Sequence, residues 1–320
     1  MTTQVNWGIL GYARIAREHV MPAIQRASNA KLHAVASRRP EGLAACRADF
    51  GPVKLYDDYD ALLADPEVRA VYIPLPNSLH AEWTIRAARA GKHVLCEKPL
   101  ALDAAGCRAM IEACAAHHVL LMEAFMYRYT DGTRRVLEIL QCGALGEIRH
   151  VHASFHFLLA RDRDVRLQPE LGGGSLYDVG CYPVNFIGLV TGRAPVAVQA
   201  EAVRREGVDL RFTAVLRYEG GITASLSCGF DSHLRSRAEI IGSKGVLSIP
   251  EPFFGEAGAL ALESGGSRQE IPVAASDRYR LEIEDFSQAI LEGRRPMLDL
   301  AETLRNMEVI ERLLAAAKKA

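Results

Sequence analysis

Residues 5–20, VNWGILGYARIAREHV, decide the architecture of the first half of the chain. The apolar run Val5 to Leu10 suits a strand, Gly11 interrupts it, and ARIAREHV follows with helical spacing, Pro22 being placed to open a further helical turn. Strand, tight turn and helix in this order suit a dinucleotide-binding unit and equally a turn before any amphipathic helix, so the context decides. The turn, Gly8-Ile9-Leu10-Gly11-Tyr12-Ala13-Arg14-Ile15-Ala16, is close to the G-x-G-x-x-G/A fingerprint, with Ala13 in the place of the second glycine. A methyl group there asks for a larger stand-off from a pyrophosphate.

Outward from this unit the pattern repeats. Lys31 to Ser37 (KLHAVAS) reads as a second strand and runs into Ser37, Arg38 and Arg39. An acid near this point would favour the ribose 2′-hydroxyl of NAD; guanidinium and hydroxyl donors suit a 2′-phosphate, so NADP is expected rather than NAD. Predicted helices at 40–50, 58–64, 78–90 and 103–117 alternate with predicted strands at 54–56, 70–75, 92–96 and 119–125. Alternation of this kind builds a parallel sheet covered by helices, with its ligand crevice at the strands' carboxyl ends. Two loops at such ends stand out: Pro74-Leu75-Pro76-Asn77-Ser78-Leu79-His80 and Cys96-Glu97-Lys98-Pro99-Leu100. Prolines stiffen the first, and the second delivers the cation of Lys98.

From about Met126 the alternation stops. After a helix ending near Gln141, strands are expected at 147–159, 196–205, 209–218, 222–229, 236–242, 246–250, 259–263 and 269–273, separated by turns such as Glu219-Gly220-Gly221. The fold class is therefore α/β, with a doubly wound Rossmann domain over 1–125 and a largely antiparallel α+β domain over 126–320. Two amphipathic helices, broken at residues 293–296, end the chain from Leu281 and can pack back on the first domain.

Within the second half, residues 172–185 read GGGSLYDVGCYPVN. Asp178 and Tyr182 stand four apart, on one face of a helix, and the glycines let the chain approach the cofactor crevice. A phenol can exchange a proton with a substrate oxygen that a carboxylate orients. His150, His152 and His156 share one strand face by period two; without a carboxylate or cysteine at matching spacing, a polar sheet face is expected rather than a metal site. The charged loop 161–166 can rim a polar substrate pocket, Arg166 foremost.

With 320 residues, 49% hydrophobic and 24% charged, the chain has room for two cores. A formal charge of -1 argues against nucleic-acid binding as the main activity. Seven cysteines without a C-x-x-C pair suggest reduced thiols, not zinc or disulfides. No leader or apolar run of spanning length is evident, so a cytoplasmic protein without membrane attachment is expected.

GxxGxxRIA, PLPNSLH, GKHVLCEKPL and GGGSLYDVGCY, in this order, resemble the Gfo/Idh/MocA family of nicotinamide-dependent oxidoreductases. EAFMYR at 123–128 and Tyr182, where inositol dehydrogenases carry histidine, resemble the branch of dimeric dihydrodiol dehydrogenases and NADP-dependent D-xylose dehydrogenases. Thr130-Asp131 departs from the His-Pro common in that branch. The resemblance implies a dehydrogenase or reductase acting on a sugar, polyol or diol, with Tyr182 as proton donor or acceptor, Lys98 as its electrostatic partner and Asp178 beside them. It also implies cofactor contacts from Gly8, Gly11, Tyr12, Ala13, Arg14, Ile15, Ser37, Arg38, Arg39, Pro74, Leu75, Asn77, His80, Glu97 and Lys98. Substrate contacts fall to Arg128, Arg166 and Tyr182, and the second sheet is expected to carry a homo-oligomer contact. Alternatives are a reductase of nucleotide-linked keto-sugars and a sensor that binds the dinucleotide without turnover.

Overall fold

The protein is described by a computed structural model covering residues 4–160 and 164–317. Residues 161–163 of the charged loop lie outside the described residues. The chain divides into two compact units, Met1–Met126 with Asp277–Leu304, and Tyr127–Ser276 with Arg305–Ala320.

The first unit holds strands β1 (Val5–Leu10), β2 (Ala30–Ala36), β3 (Lys54–Tyr56), β4 (Ala70–Ile73), β5 (His93–Glu97) and β6 (Leu121–Ala124). All pair in parallel, in the order β3-β2-β1-β4-β5-β6. Every residue of β4, an inner strand, is buried, as expected of a strand covered on both faces, and so is every residue of the edge strand β6. Strand order reverses between β1 and β4, so the loops after Leu10, Ala36, Ile73 and Glu97 share one edge of the sheet, at its topological switch point. The crossover helices are α1 (Met21–Arg26), α2 (Pro40–Phe50), α3 (Tyr59–Leu63), α4 (His80–Arg89) and α5 (Ala104–Ala116).

Before α1 the chain makes a π turn over Ala16–Val20, closed by the Met21 N–H on the Ala16 carbonyl. Pro22 follows directly, and its ring and missing N–H explain why the helix widens there instead of keeping an unbroken α ladder.

Residues 277–304 belong with this first unit, whereas a single cut near residue 125 assigns them to the second. Helix α8 (Arg278–Glu292) buries Ile283, Phe286 and Ile290, and the Phe286 ring lies 5.7 Å from that of Trp7 in β1. Trp7 Nε1 donates to Ser287 Oγ at 3.0 Å, Arg26 Nε to Asp277 at 2.9 Å, and Asn29 Nδ2 to the Glu284 carbonyl at 2.9 Å. An amphipathic helix announces that it has an apolar face, not which core receives it.

The second unit is built on an eight-stranded sheet: β7 (Ile148–Leu158), β8 (Ala197–Arg205), β9 (Val208–Arg217), β10 (Thr223–Gly229), β11 (Asp231–Gly242), β12 (Gly245–Pro250), β13 (Gly258–Ser264) and β14 (Ser267–Val273). Its order is β14-β13-β12-β11-β7-β10-β9-β8, antiparallel throughout except for the parallel pair β7–β10. Strand β11 starts five residues earlier than its sequence pattern suggests, through an irregularity between Asp231 and Arg235. Helices α6 (Asp131–Gln141) and α7 (Cys181–Thr191) belong to this unit, and α9 (Leu300–Ala317) closes the chain.

His150, His152 and His156 do share one face of β7. Their ring nitrogens meet hydroxyls of the neighbouring strand, His150 at Thr223 Oγ1 (2.8 Å), His152 at Ser225 Oγ (3.0 Å) and His156 at Ser227 Oγ (2.9 Å). The side chains form a polar ladder along the β7–β10 seam. No helix among the described residues is long and apolar enough to cross a membrane.

Candidate active site

Each unit carries its own set of candidate residues. In the first, Gly11 has φ +109, and a Cβ there would lie 2.9 Å from Leu75 Cδ2, so the loop after β1 touches the loop after β4. Gly8 has another purpose. It sits inside β1, where a Cβ would lie 2.7 Å from Leu62 Cδ2, and its smallness lets α3 pack on the strand. Tyr12 is anchored to α2 by a 2.6 Å bond from its hydroxyl to Asp49; burial, then that carboxylate, raise its pKa far above the usual phenol range. Ala13 and Ile15 are half-buried, and Arg14 is exposed.

At the end of β2, Arg38 projects outward with its guanidinium carbon 4.7 Å from the Tyr59 ring centroid and 5.2 Å from that of Trp83. Two aromatic faces thus hold a cation at the crevice edge. Arg39, also exposed, precedes α2. Ser37 is buried, and its Oγ stands 3.2 Å from both the backbone N and the carbonyl O of Arg39.

The second loop pair is braced from inside. His80 is fully buried, Nε2 standing 2.8 Å from the Leu75 carbonyl and Nδ1 2.9 Å from the Pro99 carbonyl. It ties the two loops together instead of lining the crevice. Pro74 is buried as well, while Leu75, Asn77, Glu97 and Lys98 are half-buried. The Glu97 carboxyl accepts from the Tyr72 hydroxyl, and at 3.3 Å from the Lys98 backbone N–H. The Leu100 N–H donates to Glu123 Oε1 at 2.9 Å.

In the second unit the glycine run makes close approaches to its own chain. Gly174 N–H donates to the Arg166 carbonyl at 2.9 Å, and a Cβ on Gly173 would lie 2.5 Å from that same oxygen. Gly174 has φ +122, and a Cβ there would lie 2.4 Å from Asp209 Oδ1. Asp209 accepts from Ser175 Oγ (2.6 Å) and the Leu176 N–H (2.7 Å), holding the start of the next helix. That helix opens with a π turn, Leu176–Gly180, and continues as α7, again with a proline, Pro183, just beyond the π turn.

Asp178 lies in the π turn, and its Oδ2 is 2.6 Å from Arg166 Nε. Arg166 also donates from Nη1 to Asp164 Oδ1 at 3.1 Å, and Asp178, the larger influence, raises its pKa further. Arg166, expected to reach for substrate, is thus engaged in fixing the Asp178 carboxylate. Tyr182 is 5% exposed and set among rings, with centroid distances of 5.5 Å to Phe155, 5.4 Å to Phe253 and 5.9 Å to Tyr127. Arg128 Nη1 lies 3.4 Å from Asn185 Oδ1, which also accepts from the Tyr127 hydroxyl. Thr130 caps α6 by accepting the Thr133 N–H, and Asp131 accepts the Ala274 N–H, so the Thr-Asp pair does a helix-start job.

Tyr72 and Glu123 escape sequence reading because each is a single polar residue in a short apolar strand, and Asp209 because it stands among other polar residues of an alternating strand, with no spacing to mark it. The arrangement in the first unit fits a dinucleotide: a positive-φ glycine at the switch point, a stacked arginine at the β2 end, and a braced loop carrying lysine.

Family models match both halves: an oxidoreductase family with an NAD-binding Rossmann fold over residues 5–125, and a GFO/IDH/MocA C-terminal domain over 133–248. The chain is 38% identical over 318 residues to D-xylose 1-dehydrogenase (NADP(+)) 2 of Haloferax volcanii, covering 98% of this chain and 97% of that one. Crystals of KijD10, a 3-ketoreductase from Actinomadura kijaniata in complex with NADP and TDP-benzene, superpose with TM-score 0.92 at 32% identity over 98% of each chain. An aldose-aldose oxidoreductase from Caulobacter crescentus, complexed with glycerol, gives TM-score 0.92 at 31% identity over 99% of this chain and 98% of that one.

Proposed function

The chain belongs to the Gfo/Idh/MocA oxidoreductases, and from that membership we propose that it is an NADP(H)-dependent enzyme working between a secondary alcohol and a carbonyl of a sugar, polyol or diol. The observation that carries this reading is Tyr182, buried among three aromatic rings one helical turn beyond the charge-paired Asp178. A phenol so enclosed exchanges its proton with a bound oxygen rather than with bulk water. The cofactor, when bound, supplies or accepts the hydride.

In the oxidation direction Tyr182 takes the hydroxyl proton; the family resemblance assigns Lys98 as the cation of the reaction, and a cation favours a phenolate. In reduction Tyr182 returns that proton while Lys98 stabilises the developing alkoxide. Asp178, held by Arg166, keeps an acceptor in one place for a substrate hydroxyl. Arg38 supports NADP over NAD, since an exposed guanidinium braced on two rings offers paired donors to a 2′-phosphate. Self-association through the eight-stranded sheet is part of the same reading.

A nucleotide-linked keto-sugar is the second candidate substrate, favoured by the similarity to KijD10. NADPH formation or consumption, followed by absorbance across free sugars, diols and a TDP-linked keto-sugar, separates the two. With the responsive substrate, Tyr182→Phe is expected to lower kcat by ~10²–10⁴-fold, the range for a positioned proton-transfer group. Turnover at the wild-type rate ends the assignment.

A further inference from the structure

Strand β6 is apolar and buried, with one exception. Glu123, its third residue, is 1% exposed, between Met122 and Ala124. A carboxyl in such a place is a cost to folding unless it serves a purpose. Its Oε1 accepts the Leu100 N–H at 2.9 Å, so it reaches the far side of the Lys98-Pro99-Leu100 turn. The other groups bearing on the carboxyl are the Thr303 hydroxyl, the Glu302 carboxylate and the Lys98 ammonium. Burial, opposed by the Leu100 bond, the Thr303 hydroxyl and Lys98, pushes the acid up to about 8.

Two further contacts hold the same turn. The Lys98 N–H meets Glu97, which is itself held by Tyr72, and the Pro99 carbonyl meets His80. His80 and Glu123 are both sealed from solvent; Glu123 is the brace that holds the Leu100 N–H, two residues beyond Lys98, while the Lys98 ammonium bears on its carboxyl.

We propose that Glu123 is a positioning residue for Lys98, fixing from beneath the turn on which the lysine is carried without itself touching substrate or cofactor. The inference rests on the assignment of Lys98 to the reaction. A double-mutant cycle tests the two separately: Glu123→Gln, Glu123→Met, Lys98→Ala and the combined Glu123→Met/Lys98→Ala are compared for kcat, KM for NADP and Tm. Glutamine keeps an acceptor for the Leu100 N–H; methionine keeps the volume and removes it.

Glu123→Gln should stay within ~3-fold of wild-type kcat, and Glu123→Met should lose ~10-fold or more in kcat while KM for NADP moves less than ~3-fold. The combined variant should be no slower than Lys98→Ala alone, because no lysine is left to place. Wild-type kcat in folded Glu123→Met overturns the proposal, as does a loss in the combined variant that multiplies the two single losses. Wild-type kcat in Lys98→Ala overturns the assignment of Lys98 and the positioning with it. If Glu123→Met does not fold, hydrogen exchange of the wild-type Leu100 amide decides: protection equal to that of β5 supports the brace, and rapid exchange overturns it.

Discussion

Arg38 and Ser37 are adjacent in sequence and opposite in fate. Both look like phosphate ligands when read as a string, but Ser37 closes the strand with its hydroxyl turned into the Arg39 backbone, while Arg38 lies outside on two rings. The difference is one of side-chain direction at a strand end, which alternates with each residue. Arg38→Ala should therefore raise KM for NADP by ~10-fold or more and leave that for NAD within ~3-fold, since only the former loses a charge-assisted pair. Parallel titrations with the two cofactors check this, and equal losses would remove Arg38 from the 2′-phosphate. His80 and Gly8, like Ser37, have packing or hydrogen-bonding roles within the fold.

Two helices of this protein begin in the same way, with a π turn followed closely by a proline. One follows the glycine turn of the first unit and the other carries Asp178. The second is held by Asp209, which receives the Ser175 hydroxyl and the Leu176 N–H and occupies the space a side chain at Gly174 would need. Gly174→Ala adds a methyl group 2.4 Å from Asp209 Oδ1 at a φ of +122 that L side chains rarely adopt. A loss of roughly 2–4 kcal/mol in stability is expected from the combined strain and clash. Because the same contact starts the Asp178 helix, kcat should fall in whatever fraction stays folded. Denaturant melts and single-turnover rates measure the two effects, and a variant as stable as wild type would show that Asp209 yields freely.

Across the whole molecule, stability at neutral pH contains an opposing pair of carboxyls. Burial raises the pKa of Glu123 from 4.5 to about 8, and hydrogen bonds from the Glu67 N–H, Tyr56, Lys54 and His33 overcome burial to lower Asp65 to about 2. The folded state therefore holds the Glu123 proton more tightly than the unfolded chain does: its contribution is complete below about 4.5 and is lost as pH rises to about 8. The Asp65 contribution runs the other way, complete above 3.8 and lost as pH falls to about 2. Glu123→Gln should flatten the decline in Tm between pH 5 and 8 without changing the acid limb, and an unchanged slope would place that titration elsewhere. The parallel sheet, the loops at its carboxyl edge and the strand-rich second half are all legible in the sequence. Each follows from local hydrophobic periods and turn residues that any part of the chain expresses by itself. Tertiary structure alone decides the pairings Trp7 with Ser287, Arg166 with Asp178, Gly174 with Asp209 and Leu100 with Glu123. These partners lie 12 to 280 residues apart and meet only because packed elements bring them together, a placement that no local pattern records.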